Sequence, residues 1–296
     1  PYTTLCRSGG HSTTLKRGDA VSRLLKKMPN GSGIGAGQTA TFNLPLGLSY
    51  HQLLIRMSAD PAGAAANVDT PAAGWGNVLG EVRLLVDGSI KLRADAADLV
   101  NLWQYYGQTV SPGVLPLFLG RPWQRTPAGE DAPAYGTAGV QSMTLEIDIE
   151  PGITIQTLQV YAQQGPNMPL GDHYVLRQFP FGVSNTGWRE LSDLPRGQFA
   201  TLALQVNSAD VSEFQLEANQ RIIREADRAL ASAVSAQTGK VFQAGWSHID
   251  LTVTDRLSDM LVMTLEDFRV KLNMTSAGNV KLYAEQIYSQ GAAGNA

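Results

Sequence analysis

Hydrophobic and polar residues alternate one by one through "MTLEIDIEP" (143–151), with Leu145, Ile147 and Ile149 on one side and Glu146, Asp148 and Glu150 on the other. Successive side chains of a strand point to opposite faces, so this stretch predicts a strand with one buried and one wet face. "FRVKLNM" (268–274) and "WSHIDLTVTD" (246–255) alternate in the same way. Strands half-buried like this belong to antiparallel sandwiches; parallel sheets covered on both faces read as continuous apolar runs. In two places the period changes. Leu99, Leu102, Trp103 and Tyr106 are spaced i, i+3, i+4, i+7, as are Ala226, Ala229, Leu230 and Ala233, and each predicts a helix, near 94–106 and 224–238. Each pattern stops at a glycine, Gly107 and Gly239, where a left-handed C-terminal residue belongs.

The chain repeats itself. "GQTATFNL" (37–44) and "GQFATLAL" (197–204) share five of eight residues at an offset of 160. "EVRLLVDGSIKLRADAA" (81–97) matches "EFQLEANQRIIREADRA" (213–229) at an offset of 132, with Asp87 opposite Asn219. "LEIDI" (145–149) resembles "FRVKL" (268–272), which places Arg269 and Lys271 opposite the acidic residues of the first copy. "LQVYAQQ" (158–164) matches "VKLYAEQ" (280–286) at an offset of 122. The order of strands and helix is the same in both halves, which predicts two tandem antiparallel β-sandwiches, each with one inserted α-helix. The octapeptides are then expected to be one strand seen twice, burying Ala40, Phe42 and Leu44 and their counterparts Ala200, Leu202 and Leu204. The shrinking offset assigns extra loop to the first half. Residues 58–77 and 120–139, rich in Ala, Gly and Pro and without periodicity, are expected to be long surface excursions. The expected division is an arm and linker over 1–33, a first sandwich over 34–170 and a second over 171–296.

At 296 residues, with 30 glycines and 15 prolines, the chain suits two strand-rich units. The lone Cys6 rules out an internal disulfide framework. No apolar run reaches the roughly 18–20 residues that span a bilayer. The opening residues lack the apolar segment of a secretory leader, so the protein is expected to remain where it is made or assembled. Charge changes the picture more. Residues 1–30 carry Arg7, Lys16, Arg17, Arg23, Lys26 and Lys27 against Asp19 alone, a net of +5, and the remainder of the chain carries −8. Val21, Leu24, Leu25 and Met28 fall at i, i+3, i+4, i+7 among those cations, which predicts a short basic amphipathic helix for phosphate-bearing or neighbouring surfaces.

Candidate chemistry is sparse. Glu146, Asp148 and Glu150 stand at a spacing suited to paired glycosidase carboxylates, though acidic residues on a solvent face explain them as well. His248 and Asp250 share a strand face without a nucleophile motif. His11, His51, His173 and His248 are scattered, with no spacing that would hold zinc. "GSGIGAG" (31–37) lacks the Lys-Ser/Thr of a phosphate loop and reads as a flexible linker. Trp75, Trp123 and Trp188 fall in expected loops and could stack on sugars or close the ends of sandwiches. The residues predict no catalytic site and no cofactor, and leave open a structural ion.

The ordered set "GQTATFNLPLG", "VRLLVDGSIKL", "LEIDIEPG", "RQFPFGVSNTGWRELSDLPRGQ", "SEFQLEANQ" and "DFRVKLNM", together with the duplication, resembles the double jelly-roll major capsid proteins of tailless icosahedral phages with an internal membrane, most closely the corticovirus-type coat protein. The resemblance spans about residues 34–290. It implies two rolls side by side, roughly perpendicular to the capsid surface, and a homotrimer of hexagonal outline tiling a shell above the membrane. It implies as partners other copies of the chain, minor and vertex proteins of the capsid, and the membrane surface under the arm, without specific nucleic-acid recognition. It implies assembly in the host cytoplasm and residence in the virion. A carbohydrate- or receptor-binding sandwich is the other expectation, since lectins also use jelly rolls.

Overall fold

The computed structural model describes residues 23–61, 67–68, 73–124 and 133–289. The first half runs β1 (Leu24–Lys27), β2 (Thr39–Asn43), β3 (Ser49–Asp60), α1 (Ala73–Val78), β4 (Leu79–Val86), β5 (Ser89–Asp95), α2 (Ala96–Tyr105), β6 (Val114–Phe118), β7 (Met143–Ile149) and β8 (Thr154–Gly165). The second runs β9 (His173–Val183), β10 (Gly187–Leu191), β11 (Phe199–Val206), β12 (Val211–Ala218), β13 (Arg221–Asp227), α3 (Arg228–Ala236), β14 (Ser247–Asp250), β15 (Leu261–Val262), β16 (Phe268–Met274) and β17 (Gly278–Tyr288).

Pairing makes each half a double jelly-roll component. In the first, sheet β1-β8-β3-β6 faces β2-β7-β4-β5; in the second, β9-β17-β11-β14 faces β10-β16-β12-β13. The two orders are the same order. A single parallel pair, Leu92 with Leu176, joins β5 to β9 and makes one continuous sheet across both rolls.

Local chemistry explains the shared elements. β7 and β16 bury alternate residues in the same pattern, as their alternation requires. β4 turns into β5 through Asp87 and Gly88, and β12 into β13 through Asn219 and Gln220, all four at positive φ. Positive φ at both central residues is what a two-residue hairpin needs to match strand twist. Gly107 and Gly239, at φ 71° and 80°, follow the helices at equivalent places.

The pairing also corrects several expectations. The octapeptides are not one strand seen twice. β2 is equivalent to β10, an edge strand whose one partner strand among the described residues is β7, whereas β11 is equivalent to β3 and lies between β17 and β14. Ala40, Phe42 and Leu44 are buried, as are Ala200, Leu202 and Leu204. However, β11 is buried on both faces, while β2 exposes Thr39 and Asn43. Similar apolar strands were selected by different neighbours. "LEIDI" pairs structurally with "VKLNM", two residues beyond the expected register: Leu84 faces Leu145, and its counterpart Leu216 faces Val270. Lys271 and Asn273 therefore stand at the places of Glu146 and Asp148.

Residues 24–27 are a strand, not part of a basic helix. They pair with β8 from Leu24–Gln164 to Lys27–Tyr161. Four residues are too few for helix propensity to outweigh a sheet edge that offers a ladder. "GSGIGAG" does not hang free either: Ser32 and Thr41 exchange backbone hydrogen bonds of 2.9 and 2.8 Å. A Cβ on Gly31 would meet the Phe42 ring at 2.8 Å, so the glycine admits close packing. Of the expected excursions, the first is interrupted by α1, and the second returns through Tyr135, fully buried and bridged to Tyr50. Finally, α3 does not bury its apolar stripe. Leu230 is 53% exposed, and Ser235 is the helix's one buried residue.

Candidate functional site

The two rolls meet at a seam made by α2 and its following loop on one side and β9, β11, β14 and β17 on the other. Tyr174, Leu176, Leu202, Trp246, Tyr283 and Ile287 of the second roll belong to the first roll's hydrophobic cluster. The seam is thus an extension of a core, not a contact between finished surfaces.

At its centre lies one carboxylate. Glu285, on β17, accepts hydrogen bonds from Tyr106 (2.8 Å), Tyr174 (3.1 Å), Gln205 (2.9 Å) and Arg121 (2.9 Å). Arg121 and Glu285 are 1% and 0% exposed. Burial alone would weaken the guanidinium charge, but Tyr106, Glu285 and Tyr174 outweigh it and hold Arg121 above its ordinary range. Burial first, then the Glu285 charge, pushes the Tyr106 and Tyr174 hydroxyls up, so they remain donors. The guanidinium lies 4.7 Å from the Tyr106 ring centre and 4.9 Å from that of Trp123.

Beside it, Lys240 meets Asp250, Asp255 (3.0 Å) and the Thr252 carbonyl (2.9 Å). Asp250 also accepts from Tyr105 (3.1 Å) and from the Thr252 amide (2.7 Å). His248 is stacked on Tyr105 at 4.0 Å. Its Nε2 accepts from the Gln243 amide at 3.2 Å, which leaves Nδ1–H to donate to Gln205. Burial, with the Arg228 charge behind it, pushes the imidazole down to about 3. His248 and Asp250 do lie together, as a seam brace: Lys240 neutralises the carboxylate and both ring nitrogens are occupied.

Two members of the acidic ladder, Glu146 and Asp148, are likewise paired. Arg83 reaches Glu146 (3.1 Å), Glu81 (2.8 Å) and both oxygens of Asp148 (2.9 Å each). Burial works against the Asp148 charge, but the Thr39 hydroxyl and Arg83 prevail and hold the carboxyl below its usual range. A general acid needs the opposite shift. Trp75 is fully buried in α1 rather than in a loop, Trp123 stacks on Tyr106 at 4.7 Å, and Trp188 lies half-exposed on β10. Among the described residues, no three His, Cys, Asp or Glu side chains gather as a metal site.

Of the arm cations, Arg7, Lys16 and Arg17 lie outside the described residues. Arg23, just before β1, and Lys26 and Lys27 within it are exposed, as is Leu25. Lys26 and Lys27 border an open 640 Å³ hollow that Pro45 and Leu46 complete. Arg121, Lys240 and Glu285 escaped the sequence reading. Glu285 carried a signal, being the one charge in the otherwise apolar and neutral-polar "LYAEQIY"; Arg121 and Lys240, in connecting segments, carried none.

Comparisons with known proteins agree with this architecture. The viral coat protein P2 N-terminal domain family matches residues 25–165, and its C-terminal domain family matches residues 175–290. The major capsid protein P2 of bacteriophage PM2 superposes with a TM-score of 0.82 at 19% identity, covering 92% of this chain and 99% of that one. The Sulfolobus Turreted Icosahedral Virus structure gives 0.68 at 13% identity, covering 91% of both chains. The PBCV-1 virus capsid gives 0.61 at 11%, covering 97% of both. No curated protein matches the chain.

Proposed function

The chain belongs to the viral coat protein P2 family, and from that premise we propose that it is the major subunit of an icosahedral shell, assembling as a homotrimer of hexagonal outline above an internal membrane. As a coat protein it is a structural component of the virion capsid, not an enzyme.

The observation that carries the trimer is the equivalence of the rolls. Two domains with one strand order, packed side by side, make each chain two similar wedges. Three such chains approximate a hexagon by a closed cyclic interface. The basic arm (Arg7, Lys16, Arg17, Arg23, Lys26 and Lys27) is assigned to the inner side of the shell, against head groups or a neighbouring subunit. Minor and vertex proteins complete the lattice, and assembly takes place in the host cytoplasm. The chain makes no sequence-specific contact with nucleic acid.

Light scattering on the purified protein tests the reading. A mass of three chains, with hexagonal particles in electron micrographs, is the expected result. A stable monomer at capsid-forming concentrations, or retention on immobilised sugars, would overturn it.

A further inference from the structure

The seam inside one chain has an unfilled counterpart. β5 is the outer edge of its sheet and is covered by β9 through the parallel pair Leu92–Leu176. In the second roll the strand equivalent to β5 is β13, which pairs only with β12 among the described residues. In the first roll the strand equivalent to β9 is β1, which pairs only with β8 among the described residues. Among the described residues these two edges are unpaired, and they are the two halves of a second seam of the same kind.

Register identifies the residues. Leu176 lies opposite Glu285 and Leu25 opposite Gln163, which are equivalent positions of β17 and β8. Leu25 thus takes the place of Leu176, and Arg224 the place of Leu92. Burial records the difference: Leu176 is 1% exposed, whereas Leu25 is 62% exposed. Leu92 is fully buried, whereas Arg224 at its place is only half-buried and lines a hollow with Leu230 of α3, 53% exposed; Ile223 is 43% exposed, while Ile222 differs little from its counterpart Ile90, exposed beside the closed seam as well.

We infer that β13 of one copy pairs in parallel with β1 of the next, setting Arg224 beside Leu25 and covering the apolar residues of β13 and α3. The occupant is a second copy of this chain because the same contact, strand for strand, already exists between the rolls. The inference rests on the homotrimer reading and names its interface. An edge that accepts a strand is a hazard unless something covers it, and a head-to-tail contact repeated by one rotation closes into a ring. The Arg224 stem lies along Leu25 while its guanidinium reaches solvent.

Paired cysteines test this. Neighbouring strands stand roughly 4.8 Å apart, within reach of a disulfide. In a Cys6→Ser background, Leu25→Cys with Arg224→Cys is oxidised mildly and resolved without reductant; Leu25→Cys with Glu190→Cys, on the opposite edge strand β10, is the control. A covalent ladder that ends at three chains, present in the first pair and absent in the control, is expected. A trimer by light scattering that yields no cross-link, or cross-links equally in the control, overturns this pairing and leaves the trimer standing. A ladder that continues past three chains overturns the closed ring. A monomer overturns both.

Discussion

Asp87 and Asn219 do the same work in the two rolls. Each sits at positive φ, 49° and 47°, at the first turn position of its hairpin. Each also accepts two backbone N–H groups from the chain entering the equivalent strands β7 and β16: Asp87 from Gln141 and Ser142 at 2.7 and 2.8 Å, Asn219 from Glu266 and Asp267 at 2.9 and 3.2 Å. A side-chain oxygen is what both clamps require, and Asp and Asn both supply it while tolerating left-handed backbone.

Exchanging the two, as Asp87→Asn or Asn219→Asp, is expected to leave the melting temperature within a degree or two. Alanine at either site loses the clamp and strains the turn, at about 1–3 kcal/mol. Chemical denaturation measures both. Equal behaviour of Ala and Asn at position 87 would show that the clamp contributes nothing.

The buried pair at the seam makes a sharper demand. Arg121→Met leaves Glu285 with three neutral donors and no counter-charge, and is expected to cost about 3–5 kcal/mol. Adding Glu285→Gln should restore most of that loss, because no buried carboxylate is then left without a counter-charge while the amide oxygen still accepts from Tyr106 and Tyr174. Calorimetry of the single and double variants decides the matter; strictly additive losses would argue against the coupling.

Acid should loosen the seam through His248. Its folded value is depressed to about 3 against an ordinary 6.5, so the unfolded chain binds a proton that the folded chain refuses. The contribution is complete above pH 6.5 and declines as the pH falls towards 3, with about 2 kcal/mol gone by pH 5. His248→Gln should flatten this part of the stability profile. An unchanged slope between pH 6.5 and 4 in the variant would remove His248 from the account.

Arm deletions should separate at β1. Removing residues 1–22 is expected to leave both rolls folded with an unchanged melting temperature, while assembly around membrane vesicles fails. Removing residues 1–30 also strips β1 from β8 and takes away the buried Met28 and its 2.8 Å backbone bond to Val160. About 2–5 kcal/mol should go with it. Normal membrane-filled particles from the shorter deletion would refute the assigned role of the arm.

What the chain determined by itself is what depends on neighbours in sequence. Alternation in "MTLEIDI" and "FRVKLNM" specified half-buried strands, Asp87 and Asn219 specified hairpins, and Gly107 and Gly239 ended helices, because each property is set by backbone sterics and a period of a few residues. The tertiary structure decided whatever depends on a distant partner. "LLKK" satisfies a helical spacing and a strand equally, and β8, more than a hundred residues away, chose the strand by offering a ladder. The octapeptides look alike because both are apolar strands, yet their neighbours made one an edge and the other a centre. Glu285 is one acidic letter in its strand; only the fold brings Tyr106, Arg121, Tyr174 and Gln205 to it from four separate segments. Desolvation and pairing act through space, and the distance between these groups in space bears no relation to their distance along the chain.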